Sequence, residues 1–420
     1  MKTKTNKQRH SSSKRISFPQ NSLRSILTQS LLVLLLSVIG ESVTGFILTG
    51  MENKLAALPG LIILVPAITD LKGNVGAAFG ERLSTMLHLG FVKPITKVSN
   101  AIKNNILASF TLTVSGAFLI GISAAAISNL LQIKTIGVIR LSMISTTAGI
   151  ISSVLLLPLV FVFVFTSFRH HIDPDNIIAP MLPVAGDIIA ISAVFIGATL
   201  TMKLLPIKPV ILVLFAAFPF VVGFAKKSKR RNNKLPKRYH YFPIIKQSLP
   251  ILIFCFAIGI TSGIFLQNAR KIFLIYPALL ALIPQVVAQG GSIGGIVGSR
   301  VSTTLYLGSA QPFKFSKEIR KNFTAGIIMG LVVALLVGIA SLIIIYITKA
   351  NAPPLTQIFL VAFLSLFILS TLMSVIAIFI SFFSFKIGID PSNVVIPVIT
   401  SIGDITGIIV LLAMMKVFIF

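Results

Sequence analysis

Cysteine is almost absent: the chain of 420 residues has one, Cys255. No intrachain disulfide can form, and no cysteine cluster can hold a metal. Tryptophan is missing, and histidine occurs five times, with no ligand spacing relating His88, His170 and His171 to one another. A His/Cys zinc site is therefore excluded. Charge is scarce as well. Only 11% of residues are charged, against about a quarter in soluble globular chains. Within that small set the acids are rarer still, ten against 37 cations, for a net charge of +27. In a soluble protein this excess would suggest nucleic acid. Here the cations gather in short segments between apolar runs, where they act as topology signals at a membrane surface, and no nucleic-acid partner is expected.

What is present is apolar. Hydrophobic residues make up 55% of the chain, and the mean hydropathy is +0.97. Such a composition cannot be hidden in one water-soluble core, so lipid must be the solvent. Apolar runs fall at about 25–49, 58–83, 104–131, 137–168, 177–202, 207–225, 244–268, 273–301, 322–348, 355–385 and 394–419. Each is near or above the ~20 residues a helix needs to cross a bilayer. The expectation is an all-α polytopic membrane protein with eleven transmembrane helices.

Met1 to Arg24 is basic, rich in serine and free of acids, like the start of a targeting peptide. The apolar run after it is long enough to span, with no small-residue cleavage site, so it reads as a cytoplasmic tail and a first helix. The cation bias then sets orientation. With the N-terminus inside, the inner segments hold the tail, Lys93, Lys97, Lys103, Arg169, the run from Lys226 to Arg231 with Lys234, Lys237 and Arg238, and Lys314, Lys317, Arg320 and Lys321. The outer segments hold one or two cations each, such as Lys54, Lys134 with Arg140, and Lys349. The C-terminus is expected outside, and the protein in the cell membrane.

The chain also repeats itself. An offset of 218 aligns Pro66–Gly90 with Pro284–Gly308 without a gap, with ten of 25 positions identical. At the same offset Gln29-Ser30 meets Gln247-Ser248, and Gly45 meets Gly263. An offset of 217 aligns Asp173-Pro-Asp-Asn176 with Asp390-Pro-Ser-Asn393, Pro180 with Pro397, and Gly186-Asp187 with Gly403-Asp404. This divides the chain into a tail (1–24), a first five-helix domain (25–203), a linker helix with a basic loop (204–243) and a second five-helix domain (244–420). Five is odd, so direct fusion would invert the second copy. The linker helix restores parity and makes the halves parallel about a pseudo-twofold axis along the membrane normal.

Glu41, Asp70, Asp187 and Asp404 fall within spanning segments. An ionisable group there costs at least about 2.5–3.5 kcal/mol on insertion scales and marks a candidate site. Asp187 and Asp404 are the strongest pair, each about ten residues into the fifth helix of its repeat. Asn176, Pro180, Pro183 and Asp187 share one helical face, as do Asn393, Pro397, Thr400 and Asp404. Two carboxylates facing one axis repel unless a cation lies between them or one is protonated; the bland alternative is a structural aspartate. Pro180 and Pro397 free the carbonyls of Asn176 and Asn393, either to line a polar cavity or as a plain kink. Asp173-Pro174 and Asp390-Pro391 look like helix caps. The second helix carries Pro66, Asp70, Lys72, Gly73 and Asn74, matched by Pro284, Ala288, Gly290, Gly291 and Ser292. Clustered proline and glycine there suggest an interruption or close helix packing. Lys72 either pairs with Asp70 or Glu41 or reaches the interface. Arg82 and Arg300 read as anchors, with Ser84-Thr85 and Ser302-Thr303 beside them at an inner mouth.

The segments Val65–Asn74, Glu81–Thr85 and Asp173–Asp187 resemble the MgtE-type magnesium transporters, and the tandem arrangement looks like their solute-carrier relatives with two such membrane domains. The resemblance covers about 25–420. It implies that Asp187 and Asp404 face a central pore and bind hydrated magnesium, and that Gly73 and Asn74 line the same path. The second copy departs from the pattern at Ser292 and Gly290. The soluble magnesium-sensing and CBS domains of bacterial members have no counterpart here, so gating of that form is expected to be missing. Mg²⁺ is the expected cargo, with Mn²⁺, Co²⁺ or Ni²⁺ able to use the same oxygens. The pseudo-dimer makes a monomer sufficient, with the lipid bilayer and divalent cations as partners. One rival is a Na⁺- or H⁺-coupled transporter of another solute, favoured by Lys72. Another is an intramembrane metal-dependent enzyme using Asp173, Asp175 and Asp390. No enzymatic activity is expected.

Overall fold

The computed structural model describes residues 23–88, 99–170, 174–203, 240–387 and 391–419, with backbone alone for 25, 88, 174–181, 203, 306 and 391–397. The basic tail and the expected linker helix at 207–225 lie outside the described residues, as do Asp173 and Asp390. Ten long helices are described: α1 Leu23–Thr49, α2 Leu61–His88, α3 Asn100–Leu130, α4 Val138–Arg169, α5 Pro174–Lys203, α6 Tyr241–Asn268, α7 Leu282–Tyr306, α8 Lys317–Thr348, α9 Leu355–Ile387 and α10 Pro391–Phe418. All ten are long and apolar enough to cross a membrane. Short helical turns, Glu52–Ala57 and Arg270–Ile275, join α1 to α2 and α6 to α7.

The face that each first helix buries explains its position. Along α1, Leu32, Leu36, Ile39, Val43 and Phe46 are exposed at spacings of three and four, a stripe suited to lipid. Leu34, Ser37, Glu41, Gly45 and Leu48 form the opposite, buried face. In α6 the buried face is Leu252, Cys255, Gly259, Gly263 and Leu266, the same register at an offset of 218.

These buried faces are exchanged between the halves. Helix α1 packs against α7 and α8 of the second repeat as well as α5 of its own; α6 packs against α2 and α3 of the first repeat and α10 of its own. The crossings are pseudo-symmetric to the residue. A Cβ on Gly45 would lie 2.7 Å from the Ala281 carbonyl oxygen, and one on Gly263 would lie 2.7 Å from the Ile63 Cα. Residues 45 and 263, like 63 and 281, are partners at the repeat offset. With little hydrophobic force between helices in lipid, small residues of this kind let backbones approach and pack. The sequence-based division into two contiguous five-helix units is thus crossed by α1 and α6 in space.

The halves are parallel. Contacts between α1 and α7 run antiparallel: Gly45 meets Ala281, the Gln285 amide donates to Ser42 Oγ at 3.0 Å, and the Gln289 amide donates to Ser37 Oγ at 2.9 Å. Helix α1 is also antiparallel to α2 through its hairpin, so α2 and α7 point the same way. The hairpin tips agree, since Arg270 donates to the carbonyls of Leu55 and Ala56, and the Gly60 N–H donates to Gln267 Oε1. Both tips therefore lie on one side of the bundle.

Gln285 is fully buried and also accepts from Ser341 Oγ at 2.9 Å, so it ties α1, α7 and α8 together. Intramembrane hydrogen bonds average about 0.6 kcal/mol and reach about 1.7. Gln285→Leu is expected to destabilise the protein by about 1–2 kcal/mol, measured by reversible unfolding in mixed micelles.

Packing decides two local readings. The second helix is not interrupted: α2 runs unbroken through Pro66, Gly73 and Gly76, and α7 through its glycines after a 3₁₀ turn at Pro277–Ala281. Its small residues serve packing and space. Arg82 and Arg300 do not simply anchor to the membrane surface. Arg82 Nε donates to Asn105 Oδ1 at 2.7 Å and its Nη2 to Ser109 Oγ, while Arg300 Nε donates to Asn322 Oδ1 at 3.2 Å. Each fastens the second helix of its repeat to the third.

Candidate ion-binding site

The four spanning carboxylates form one electrostatic group. Asp187 on α5 interacts with Asp70 on α2, and Asp404 on α10 interacts with both. Glu41 on α1 joins through Asp187. Helix α10 touches α2 and α6, so the two repeats meet here. The pairing of Asp187 with Asp404 across the repeats follows from the parallel arrangement, because the fifth helices carry them at equivalent depth.

Each acid is positioned by a local device. Gly40 sits directly against Val184, bringing α1 onto α5 one turn before Asp187. Glu41 is fully buried there, and neither of its carboxylate oxygens has a hydrogen-bond partner. One turn separates Asp70 from Asn74, whose amide donates to Asp70 Oδ1 at 2.8 Å. Asp70 Oδ2 is buried without a partner. Asp187 and Asp404 are half-buried, each after a glycine that removes bulk beside it.

The glycines show where space lies. A Cβ on Gly73 or on Gly186 would meet nothing within 4 Å, so both face open volume in the first repeat. Their second-repeat counterparts face each other instead: a Cβ on Gly403 would lie 3.3 Å from the Gly291 Cα, and one on Gly291 would lie 3.7 Å from the Thr400 Cα. The half-buried Ser292 follows Gly291 on α7. The polar and small residues singled out on these helices thus divide into an open first-repeat side (Asp70, Gly73, Asn74) and a closed second-repeat side (Gly291, Ser292, Thr400). The side chains of Asn176 and Asn393 lie outside the described residues.

Lys72 pairs with neither Asp70 nor Glu41. It is buried, and its ammonium donates to the Gly149 carbonyl at 2.9 Å and to Ser153 Oγ at 3.2 Å. Two residues past Asp70 on a helix, it points to a different face. In the second repeat Gly290 takes its place and Leu369 packs directly on that glycine. An apolar side chain therefore fits the equivalent niche. Replacing a buried ion by packed hydrocarbon is often neutral or stabilising, so Lys72→Met is expected to keep metal flux within about twofold and not to lower the melting temperature. Flux assays and thermal unfolding of the purified variant check this.

The site suits a hard, hydrated cation. Its donors are carboxylate and amide oxygens from four helices. Among the described residues no three Asp, Glu, His or Cys side chains converge tightly enough to hold a bare metal ion. An ion that retains several waters reaches its carboxylates through them, and Mg²⁺ dehydrates reluctantly.

Comparison with known proteins points the same way. The family model for MgtE, described as a divalent cation transporter, matches residues 65–197 and 283–414, together more than half of the chain. The two matches stand at the repeat offset, one in each half. Solute carrier family 41 member 2 of Macaca fascicularis is 27% identical over 415 residues, covering 93% of this chain and 70% of the relative. The Xenopus laevis protein of the same name is 26% identical, with 83% of this chain and 63% of the relative covered. Solute carrier family 41 member 3 of Rattus norvegicus is 23% identical, with 92% and 86% covered. This chain therefore spans roughly two thirds to six sevenths of the length of these relatives. No solved structure gives a significant match.

Proposed function

Because this chain belongs to the MgtE family of divalent cation transporters, we propose that it carries Mg²⁺ through a path between its two repeats. The observation that supports this most is the meeting of Asp70, Asp187 and Asp404 inside the spanning bundle beside open volume at Gly73 and Gly186. Asp187 and Asp404 hold the ion from opposite repeats, mainly through its waters. Asn74 fixes Asp70, and Thr400 and Ser292 complete the wall on the second-repeat side. The freed carbonyls of Asn176 and Asn393 extend the polar lining towards the inner end. Mn²⁺, Co²⁺ and Ni²⁺ use the same oxygen donors.

The protein sits in the cell membrane with its N-terminus inside and its C-terminus outside. The cations support this polarity, because Lys103, Arg169, Lys317, Arg320, Lys321 and Lys386 fall at the helix ends opposite the two hairpin tips. One chain supplies both halves of the path, so a monomer suffices. The reading as a Na⁺- or H⁺-coupled transporter of another solute loses the observation that favoured it, since the Lys72 ammonium is taken up by Gly149 and Ser153.

The test is metal entry into vesicles containing the purified full chain and a Mg²⁺-sensitive dye. Mg²⁺ entry above that of empty vesicles, inhibited by Mn²⁺ and Co²⁺, is the expected result. Absence of flux for all four metals under both Na⁺ and H⁺ gradients would overturn the proposal.

A further inference from the structure

Of the four acids in the electrostatic group, the two on α1 and α2 have no acidic counterpart in the second repeat. Glu41 corresponds to Gly259, and Asp70 to Ala288. Glu41 lies outside both segments matched by the family model. In the second repeat the counterpart of Glu41 is consumed in packing: a Cβ on Gly259 would lie 2.8 Å from the Ala67 Cα, leaving no room for a side chain. In the first repeat a full glutamate is buried with both oxygens unpartnered, on the helix that Gly40 presses against α5 beside Asp187. The volume at Gly73 and Gly186 is open on this side, while the equivalent glycines on the other side close on each other.

Charge makes the same distinction. Glu41, Asp70, Asp187 and Asp404 form one electrostatic group, and Lys72, two residues from Asp70, is directed to α4. One divalent cation between Asp187 and Asp404 leaves two further carboxylates uncompensated within the membrane, where uncompensated charge is costly. A buried polar atom without a partner is also the usual sign of an absent ion or water.

We propose that Glu41 and Asp187 form a second divalent-cation position, displaced from the pseudo-twofold axis into the first repeat. It rests on the transport reading above and adds to it. The path holds two hydrated ions at once, with Asp187 facing both, each reached mainly through its waters. Asp70, held by Asn74, faces the same ion pair. The device is one-sided: an ion held by Glu41 repels its neighbour at the axial position and helps it to leave, as neighbouring ions do in multi-ion pores.

The experiment counts Mn²⁺ bound to the full chain in lipid nanodiscs, from the loss of the free Mn²⁺ electron paramagnetic resonance signal. Two ions per chain are expected for the wild type. Glu41→Gln, nearly isosteric, is expected to bind one at the same concentrations, the second affinity falling at least tenfold. Glu41→Asp keeps the charge and is expected to retain two, which separates loss of a ligand from loss of fold. One Mn²⁺ per wild-type chain, with Glu41 carrying a proton instead, or two in Glu41→Gln, would overturn the inference and leave the transport reading intact. No bound Mn²⁺ in the wild type, together with no flux, would remove both.

Discussion

Neutralising both fifth-helix aspartates is expected to abolish metal flux. In vesicles, Asp187→Asn with Asp404→Asn should lower the initial Mg²⁺ rate at least about a hundredfold, equivalent to about 2.7 kcal/mol of barrier. The reason is electrostatic. An ion leaving water for the bundle loses bulk solvation, and the two carboxylates are the charges positioned to replace it from both repeats. Asparagine keeps the shape and removes the charge, so packing should survive. The single variants should not be equal. Asp187 interacts with three other carboxylates, Glu41, Asp70 and Asp404, whereas Asp404 interacts with two, Asp70 and Asp187. Asp187→Asn is therefore expected to cost more than Asp404→Asn, and equal effects would argue against a further ion position on the first-repeat side.

The largest structural effect is expected at Gly263. Its missing side chain lies against the Ile63 backbone, which cannot swing aside as a side-chain tip can. Any Cβ there forces α6 away from α2. Overpacking of a tight core costs about 1–3 kcal/mol, and a backbone obstacle places Gly263→Val at or above the upper end. The expected readout is a large drop in the melting temperature of the detergent-solubilised protein, with loss of monodisperse material. Gly45→Val should behave alike, because Gly45 meets Ala281 in the mirrored crossing. By contrast, Gly73→Ala and Gly186→Ala meet open volume and should fold normally. A Gly263→Val variant as stable as Gly73→Ala would contradict the exchanged packing.

Much of this architecture is legible in the sequence because lipid imposes simple rules. Long apolar runs become helices, since a spanning backbone must satisfy its own hydrogen bonds. All ten described spans fall at the predicted places, with ends shifted by a few residues except at α7, which starts at Leu282 after a short helix and a 3₁₀ turn take up the first part of the predicted run. The repeat is equally legible, because its glycines and Arg82/Arg300 keep one register. The fate of the first helices is not. Gly45 and Gly263 are visible as a matched pair, and their buried faces share a 3.6-residue spacing. Nothing in either helix states which half its partner belongs to, because lipid-side patterning is the same for both. The glycines of the second helix left two readings open for a related reason: proline and glycine in a span fit a break or a close contact equally well, and neighbours decide. Lys72 shows the limit most plainly. Its position two residues after Asp70 suggests a pair, but helical geometry turns it towards Gly149 and Ser153 on α4. The asymmetry of the site has a partial signal in Glu41/Gly259 and Asp70/Ala288, while the opening at Gly73 and closure at Gly403 depend on helix placement alone.

The central claim is that Asp187 and Asp404 converge from two parallel repeats on one ion path. The most direct measurement is a crystal structure of the full chain grown with Mn²⁺, with data collected at the manganese absorption edge. The account predicts an anomalous peak between the two carboxylates, on the pseudo-twofold axis and near the middle of the bundle. Strong manganese peaks confined to the helix ends, with Asp187 and Asp404 turned away from each other into packed helix contacts, would contradict it.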